Sequence, residues 1–322
     1  MVSNLIRLWI SLAQRRLVLD TQQPPRDYFA GNGRASRVGR ERKAVFAQPR
    51  TLEEALALLA AGDATILGGG TDIYPAHAGR PLPRNMVSLS RIAGIRGIED
   101  CGSHVRIGGG ATWSDILRVP LPEGFAALKL AAREVGSVQI QNRGTIAGNL
   151  CNASPAADGI PPLLALDAAV ELTSAADVRR LPLSEFIIGY RRTARQPGEI
   201  LTAVILPKSG GHSVFVKLGA RRYLVISIIM VAALVERTRD GAIASARVAV
   251  GAASPVAQRL SALERDLEGL ASSIRPSTIV TPQHVAGLTP IDDVRSTARY
   301  RLEAACPAIG TALDLAWEAA AP

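Results

Sequence analysis

Aromatic residues make up only 4% of this 322-residue chain, so a surface that reads nucleic acid by stacking bases has little to work with. Cysteine is equally sparse. Cys101, Cys151 and Cys306 are widely spaced and odd in number, which excludes a disulfide framework and a four-thiolate zinc or iron–sulfur site from this chain alone. Four scattered histidines, His77, His104, His212 and His284, form no HExxH pair, and no metal site is expected. The longest apolar run, residues 224–235 with Ser227 inside it, is too short to span a bilayer and reads as a buried core element. Near the N-terminus Arg15 and Arg16 follow an apolar stretch instead of preceding it, and only three apolar residues separate them from Asp20. That order speaks against a secretory or twin-arginine signal, and reduced thiols fit a cytoplasmic protein.

What the chain does contain is a globular composition, 48% hydrophobic and 20% charged, with enough length for two domains or one large domain and an appendage. The formal charge of +9 suggests a nucleic-acid partner until its distribution is considered. Residues 1–43 hold nine basic and three acidic side chains and account for +6 of it. The remainder is close to neutral. Residues 20–43, rich in Pro, Gly and Arg with no apolar period, read as a linker or disordered arm, so 1–43 is expected to be a flexible basic extension.

Ordered structure is expected from Ala44. Thr51 and Glu54 form a capping box for a helix with Leu52, Leu56 and Leu59 on one face, closed by Gly62. Residues 64–67 and 86–89 read as short strands, and 94–109 as a hairpin turning at Cys101, Gly102 and Ser103. Helical periodicity returns at 125–135, a polar loop fills 137–149, and 155–166 is helical with a kink at Pro161 and Pro162. Strands follow at 169–173 and 200–206. From Val214 two apolar strands, 226–235 and 246–250, precede helical segments at 258–270, 293–305 and 310–319. Strands first and helices afterwards suggest a separate α+β unit, 214–322.

Two constellations carry chemistry. The first is ILGGGTDIY, residues 66–74, where consecutive glycines at a strand exit let backbone amides approach a phosphate and a helix begins near Asp72. It is neither GxGxxG nor GxxxxGK[ST], and a plain turn is the competing reading. The second is QIQNRGTIAGNLCNASPAAD, residues 139–158, whose small and polar residues could hold the phosphates, ribityl chain and ring amides of a nucleotide. A dinucleotide needs donors on both sides of its diphosphate, so the pair of loops means more than either one.

On these residues the chain resembles the FAD-binding subunits of molybdenum hydroxylases, the xanthine dehydrogenase and carbon monoxide dehydrogenase group. The family's LAGGTDL is similar to residues 67–73, its IRNRGTIGGN to 140–149, and its SPAAD to 154–158. RIGGGATWSDI (106–116), EILTAVILP (199–207), FVKLGARR (215–222), VAVGAASPVAQR (248–259) and STARYR (296–301) also match, in family order. Departures are Gly68 for Ala, Gln141 for Arg and Ala147 for Gly. If position 147 needed a left-handed backbone or lay against phosphate, the last would cost about 1 kcal/mol or more.

The resemblance implies an α+β architecture: a two-subdomain FAD-binding fold of the vanillyl-alcohol-oxidase (PCMH) type over 44–213, divided near 98, followed by a C-terminal domain of antiparallel sheet and helices over 214–322. It implies FAD held by Leu67, Gly68, Gly69, Gly70, Thr71, Asp72, Asn142, Thr145, Ala147, Gly148, Asn149 and Asp158, with no catalytic side chain and no metal in this chain. A 2Fe–2S small subunit and a molybdenum-cofactor large subunit would be its partners, as a dimer of heterotrimers passing electrons to NAD⁺ or another acceptor. Competing readings are a self-contained flavin oxidoreductase and a cofactor-free assembly protein. Asp72 could instead cap a helix and Asp158 could be an ordinary helix-start or surface carboxylate. Trp113 reads as core, and Arg221 and Arg222 as a solvated face.

Overall fold

The computed structural model describes residues 45–320; the basic segment 1–43 lies outside the described residues. Strand β1 (Val45–Ala47) leads to helix α1 (Leu52–Ala60), which starts where it does because extended Thr51 accepts the Glu54 amide on its hydroxyl at 3.2 Å. Glu54 reaches back to the Arg50 amide at 2.8 Å, one residue earlier than a capping box requires. Strand β2 (Thr65–Leu67), the single-turn helix α2 (Ile73–Ala76) and strand β3 (Asn85–Ser88) follow. β3 lies between β1 and β2 and runs parallel to both. Ala55 and Leu56 of α1 bury against Val87, Ile92, Ile95 and the distant Ile200, so this small sheet is anchored to the next layer.

That layer is a five-stranded antiparallel sheet. Strands β4 (Ile98–Asp100) and β5 (His104–Gly108) form the hairpin expected around Gly102. Helices α3 (Trp113–Arg118) and α4 (Ala126–Glu134) come next. Where a polar loop was expected, the chain forms two short helices, α5 (Val138–Gln141) and α6 (Ile146–Asn152). The polarity that suggested a loop is capping chemistry: Thr145, in extended conformation, accepts the Gly148 amide at 3.1 Å. In α7 (Ile160–Ala165) the two prolines occupy the first turn, whose amides have no helical acceptor, so they start the helix and introduce no kink. Strands β6 (Ala169–Thr173) and β7 (Val178–Pro182), helix α8 (Leu183–Phe186), the small hairpin β8 (Ile187–Gly189) and β9 (Arg192–Thr193), and strand β10 (Ile200–Pro207) complete the unit, in the order β4-β5-β10-β6-β7.

The last sheet, β11 (His212–Leu218), β12 (Ile229–Arg237), β13 (Ile243–Gly251) and β14 (Gln258–Arg259), is an antiparallel meander followed by α9 (Ser261–Leu267) and α10 (Ala298–Ala319). Its central strand explains the apolar run in the sequence. Met230, Ala232 and Leu234 pack into the core that holds Trp113 and Leu163, while Ile229, Val231, Ala233 and Val235 pack against Ile309 and Leu313 of α10. A strand covered on both faces needs no polar alternation. α10 runs through Pro307 as one helix where two were expected, because buried Ala305 and Ile309 hold both halves on the sheet at the cost of one backbone bond.

The five-stranded sheet carries a buried ionic hub. Glu171 of β6 accepts from Arg106 at 2.9 Å, from Arg180 at 2.9 Å and from the Thr202 hydroxyl at 3.2 Å. Burial by itself would raise this carboxyl, but the two guanidiniums outweigh it and hold its pKa below the ordinary 4.5. A depressed folded-state pKa gives stabilisation that is complete above the unfolded value and fades as pH falls through the folded one. Glu171→Gln is expected to lose about 1–3 kcal/mol of stability near neutral pH. In urea titrations the gap from wild type should shrink by about pH 3, and an equal gap at both pH values would contradict the assignment.

Candidate functional site

The two glycine-bearing loops meet. Gly69, just beyond β2, lies so close to the peptide of Arg143 that a Cβ placed on it would fall 1.8 Å from the Arg143 carbonyl oxygen and 3.0 Å from the Gly144 nitrogen. A Cβ on Gly68 would fall 2.9 Å from Thr145 Oγ1. Glycine at these two positions serves close approach; at Gly70, with φ of +77°, it serves a left-handed turn. A third segment, the exit of β5, locks the second loop from the other side. The amides of Trp113, Ile146 and Ala147 donate to the carbonyls of Gly144, Ala111 and Gly109 at 3.2, 3.0 and 3.1 Å.

Between these segments opens a cavity of about 920 Å³, in the size range of small-molecule and cofactor sites. Gly68, Gly69, Gly70, Thr71, Asp72, Asn142, Thr145, Ala147, Gly148 and Asn149 all line it. Leu67 and Asp158 do not. Leu67 is a buried strand residue, 3% exposed, whose side chain belongs to the core beneath the loop. Asp158 is buried with both carboxylate oxygens engaged, by Lys217 at 2.8 Å and Ser227 at 2.6 Å, so it is neither a wall residue nor a surface carboxylate. Burial pushes its pKa up against the pull of Lys217 and Ser227. Asp72 makes no capping hydrogen bond to α2 and is exposed on the wall. Ala147 sits inside α6 with a helical backbone, so the feared cost of a left-handed conformation does not arise. Trp113 is 1% exposed and belongs to the core, with part of its ring forming cavity wall. Arg221 and Arg222 are exposed and lie off the cavity.

Several wall residues had no site role in the sequence reading. Gly109, Gly110 and Thr112 lay within RIGGGATWSDI, so the signal was present but unassigned. Arg96, Arg191 and Arg195 come from a turn and from the β8–β9 region, where no motif marks them. Arg191 donates to Asn152 Oδ1 at 2.6 Å, and Arg195 to the Glu199 carbonyl at 2.9 Å. Arg96 and Arg143 make no side-chain hydrogen bond or ion pair among the described residues, nor do the amides of Gly69, Gly70 and Thr71 find an acceptor there. Buried Asn149 Oδ1 is likewise unpartnered. Four arginines against Asp63 and Asp72, with free amides on one side and an unused carboxamide oxygen on the other, suit an anionic ligand that also carries polar ring edges. Among the described residues no three His, Cys, Asp or Glu side chains gather to hold a metal ion, and no helix is long and apolar enough to cross a membrane.

Cys151 also lines the cavity, and desolvation pushes its thiol up to about 11 against the pull of Arg195. Cys101 sits exposed in the β4–β5 turn. Ellman's reagent near pH 8 is therefore expected to modify Cys101 first and leave Cys151 as unreacted thiol; peptide mapping that finds Cys151 labelled at the same rate would contradict this placement.

Comparison with known proteins identifies the family. Residues 40–209 match the family described as the FAD binding domain in molybdopterin dehydrogenase, and residues 215–314 match the CO dehydrogenase flavoprotein C-terminal domain. The putative xanthine dehydrogenase FAD-binding subunit of Escherichia coli is 31% identical, over 78% of this chain and 88% of its own. The nicotine 6-hydroxylase medium subunit of Paenarthrobacter nicotinovorans is 29% identical, over 80% of this chain and 91% of its own. Among solved structures, carbon monoxide dehydrogenase from Hydrogenophaga pseudoflava superposes with a TM-score of 0.79 at 26% identity, covering 87% of this chain and 99% of that one. The fold is thus the α+β flavoprotein architecture expected from the sequence, and the chain belongs to the FAD-binding medium subunits of the molybdenum hydroxylases, the flavoprotein components of xanthine-dehydrogenase-like oxidoreductases.

Proposed function

We propose that this chain is the electron outlet of a molybdenum hydroxylase: it binds FAD in the 920 Å³ cavity, takes electrons from a 2Fe–2S small subunit, and delivers them to NAD⁺ or another acceptor. A molybdenum-cofactor large subunit would carry out the hydroxylation, in a dimer of heterotrimers in the cytoplasm. The observation that carries this reading is the contact of Gly69 with the Arg143 peptide, which brings two sets of donors onto one cavity.

The residues divide by chemistry. Amides of Gly69, Gly70 and Thr71, with the Arg96 and Arg143 guanidiniums beside them, would hold the diphosphate; backbone donors suit it because they are fixed in place and need no side-chain ordering. Thr145, Gly148 and Asn149 line the wall formed by α6, where the unused Asn149 oxygen would accept from a ring or ribityl donor. Asn142 is held in place by the Ser114 hydroxyl at 2.5 Å. Trp113 and Leu201 supply apolar wall that keeps water from the enclosed side. FAD, when bound, accepts electrons singly and releases them as a pair, which is the chemistry needed between one-electron clusters and a hydride acceptor. The protein's part is binding, orientation and exclusion of solvent.

The fold-level test is substitution of glycines that differ only in what their Cβ would meet. Gly69→Ala forces the two loops apart and is expected to weaken FAD binding roughly tenfold or more. Gly94, whose Cβ would meet nothing within 4 Å, should tolerate the same change with full flavin content. Equal flavin content in both purified variants, read from the visible absorbance per chain, would overturn the proposed site.

A further inference from the structure

Arg301, in the first turn of α10, is 2% exposed and bonds to backbone from two other segments. Its Nη1 donates to the carbonyls of Ile228 at 2.5 Å and Ala252 at 2.9 Å, and Nη2 to Asp293 Oδ1 at 2.8 Å. Each of the two carbonyl-bearing segments continues to the same place. Ala252, held in a left-handed backbone at φ of +62°, donates its amide to the Pro155 carbonyl at 2.9 Å. Ser227, next to Ile228, donates its hydroxyl to Asp158 at 2.6 Å, and Lys217 completes the grip on that carboxylate at 2.8 Å. The segment gripped, residues 153–159, presses directly on the cavity wall. A Cβ on Gly159 would fall 2.2 Å from the Trp113 ring and 3.1 Å from Asn149 Oδ1.

We infer that Arg301 is a positioning residue for the FAD cavity: from the far side of the last sheet it fixes segment 153–159, and through it Trp113 and the unpartnered Asn149 oxygen. This rests on the proposed binding of FAD in that cavity. Arg301 bonds to no residue of the wall, and the Ala252–Pro155 and Ser227–Asp158 links are the hydrogen bonds that connect its partners to segment 153–159. A guanidinium is required because its planar fork reaches two carbonyls and a carboxylate at once, whereas an ammonium is a point charge that would release at least one of them. Ala252 adds a reason for a firm hold. A non-glycine residue in the left-handed region costs about 1 kcal/mol or more, so the loop relaxes away from Pro155 unless its carbonyl is held.

The test uses the full-length chain titrated with FAD, with two readouts besides stability: the dissociation constant from flavin fluorescence and the visible circular dichroism of the bound flavin, which reports its surroundings. Arg301→Lys is expected to weaken binding roughly tenfold, about one net hydrogen bond, and to change the dichroism. Ser227→Ala, which cuts one downstream link without touching α10, should change the dichroism in the same direction. Leu313→Ala, an apolar deletion on the same helix in the core between α10 and the last sheet, should lower the melting temperature and leave both flavin readouts at wild-type values. Wild-type affinity and dichroism in Arg301→Lys, or equal shifts in Leu313→Ala, would overturn the inference while the cofactor assignment stands. A wild-type chain that takes up no FAD overturns the assignment beneath it.

Discussion

A missing methyl group is the constraint on which the site depends. Because Gly69 carries no Cβ, the loop leaving the small parallel sheet can rest on the Arg143 peptide, and any other residue would place a carbon 1.8 Å from that carbonyl oxygen. The small sheet is thereby joined to the α5–α6 connection, and to the five-stranded sheet through the apolar cluster that holds Ile200 with Val87 and Ile95. Everything that makes the cavity a ligand site follows from that approach: residues 69–71, whose amides find no acceptor among the described residues, and residues of α6 line one space, and four arginines border it. Prying the loops apart would leave a turn and a cap, each ordinary.

The rest of the chain supports the wall from behind. Parts of the wall are set by residues behind it: Asn142 by Ser114, and the 153–159 segment by Lys217, Ser227 and Ala252. The last sheet can serve this purpose because its central strand is buried on both faces, so Lys217 of β11 and Ser227, just before β12, reach Asp158 from a packed layer. A site built of backbone amides and neutral side chains depends on such backing, since its members gain little energy individually and lose their geometry easily.

Much of this was legible in the sequence, for physical reasons that can be named. The strands at 65–67, 85–88, 169–173 and 200–207 announced themselves by apolar runs bounded by turn residues, and the two glycine loops by small polar residues denser than a surface turn needs. The polar stretch before Asn149 was misread as loop because capping residues and loop residues are the same types, and only the Thr145 conformation separates the cases. Pro161 was misread as a kink because the helix start was placed too early, whereas the uninterrupted helix at Pro307 is decided by burial of Ala305 and Ile309 and is invisible to a local rule. Asp158 was assigned to the ligand through the resemblance of residues 154–158 to the family's SPAAD; its engagement by Lys217 and Ser227, 59 and 69 residues away, is a long-range fact. Arg96, Arg191 and Arg195 were missed for the same reason, since a guanidinium in a turn has no local signature until the fold brings it to a cavity.

The central claim is that two loops grip one ligand together. Amide hydrogen exchange of the full chain, with and without FAD, addresses it directly. The account requires residues 68–72 and 142–149 to slow in concert at one equivalent of FAD. Protection of only one loop, or of neither, would contradict it.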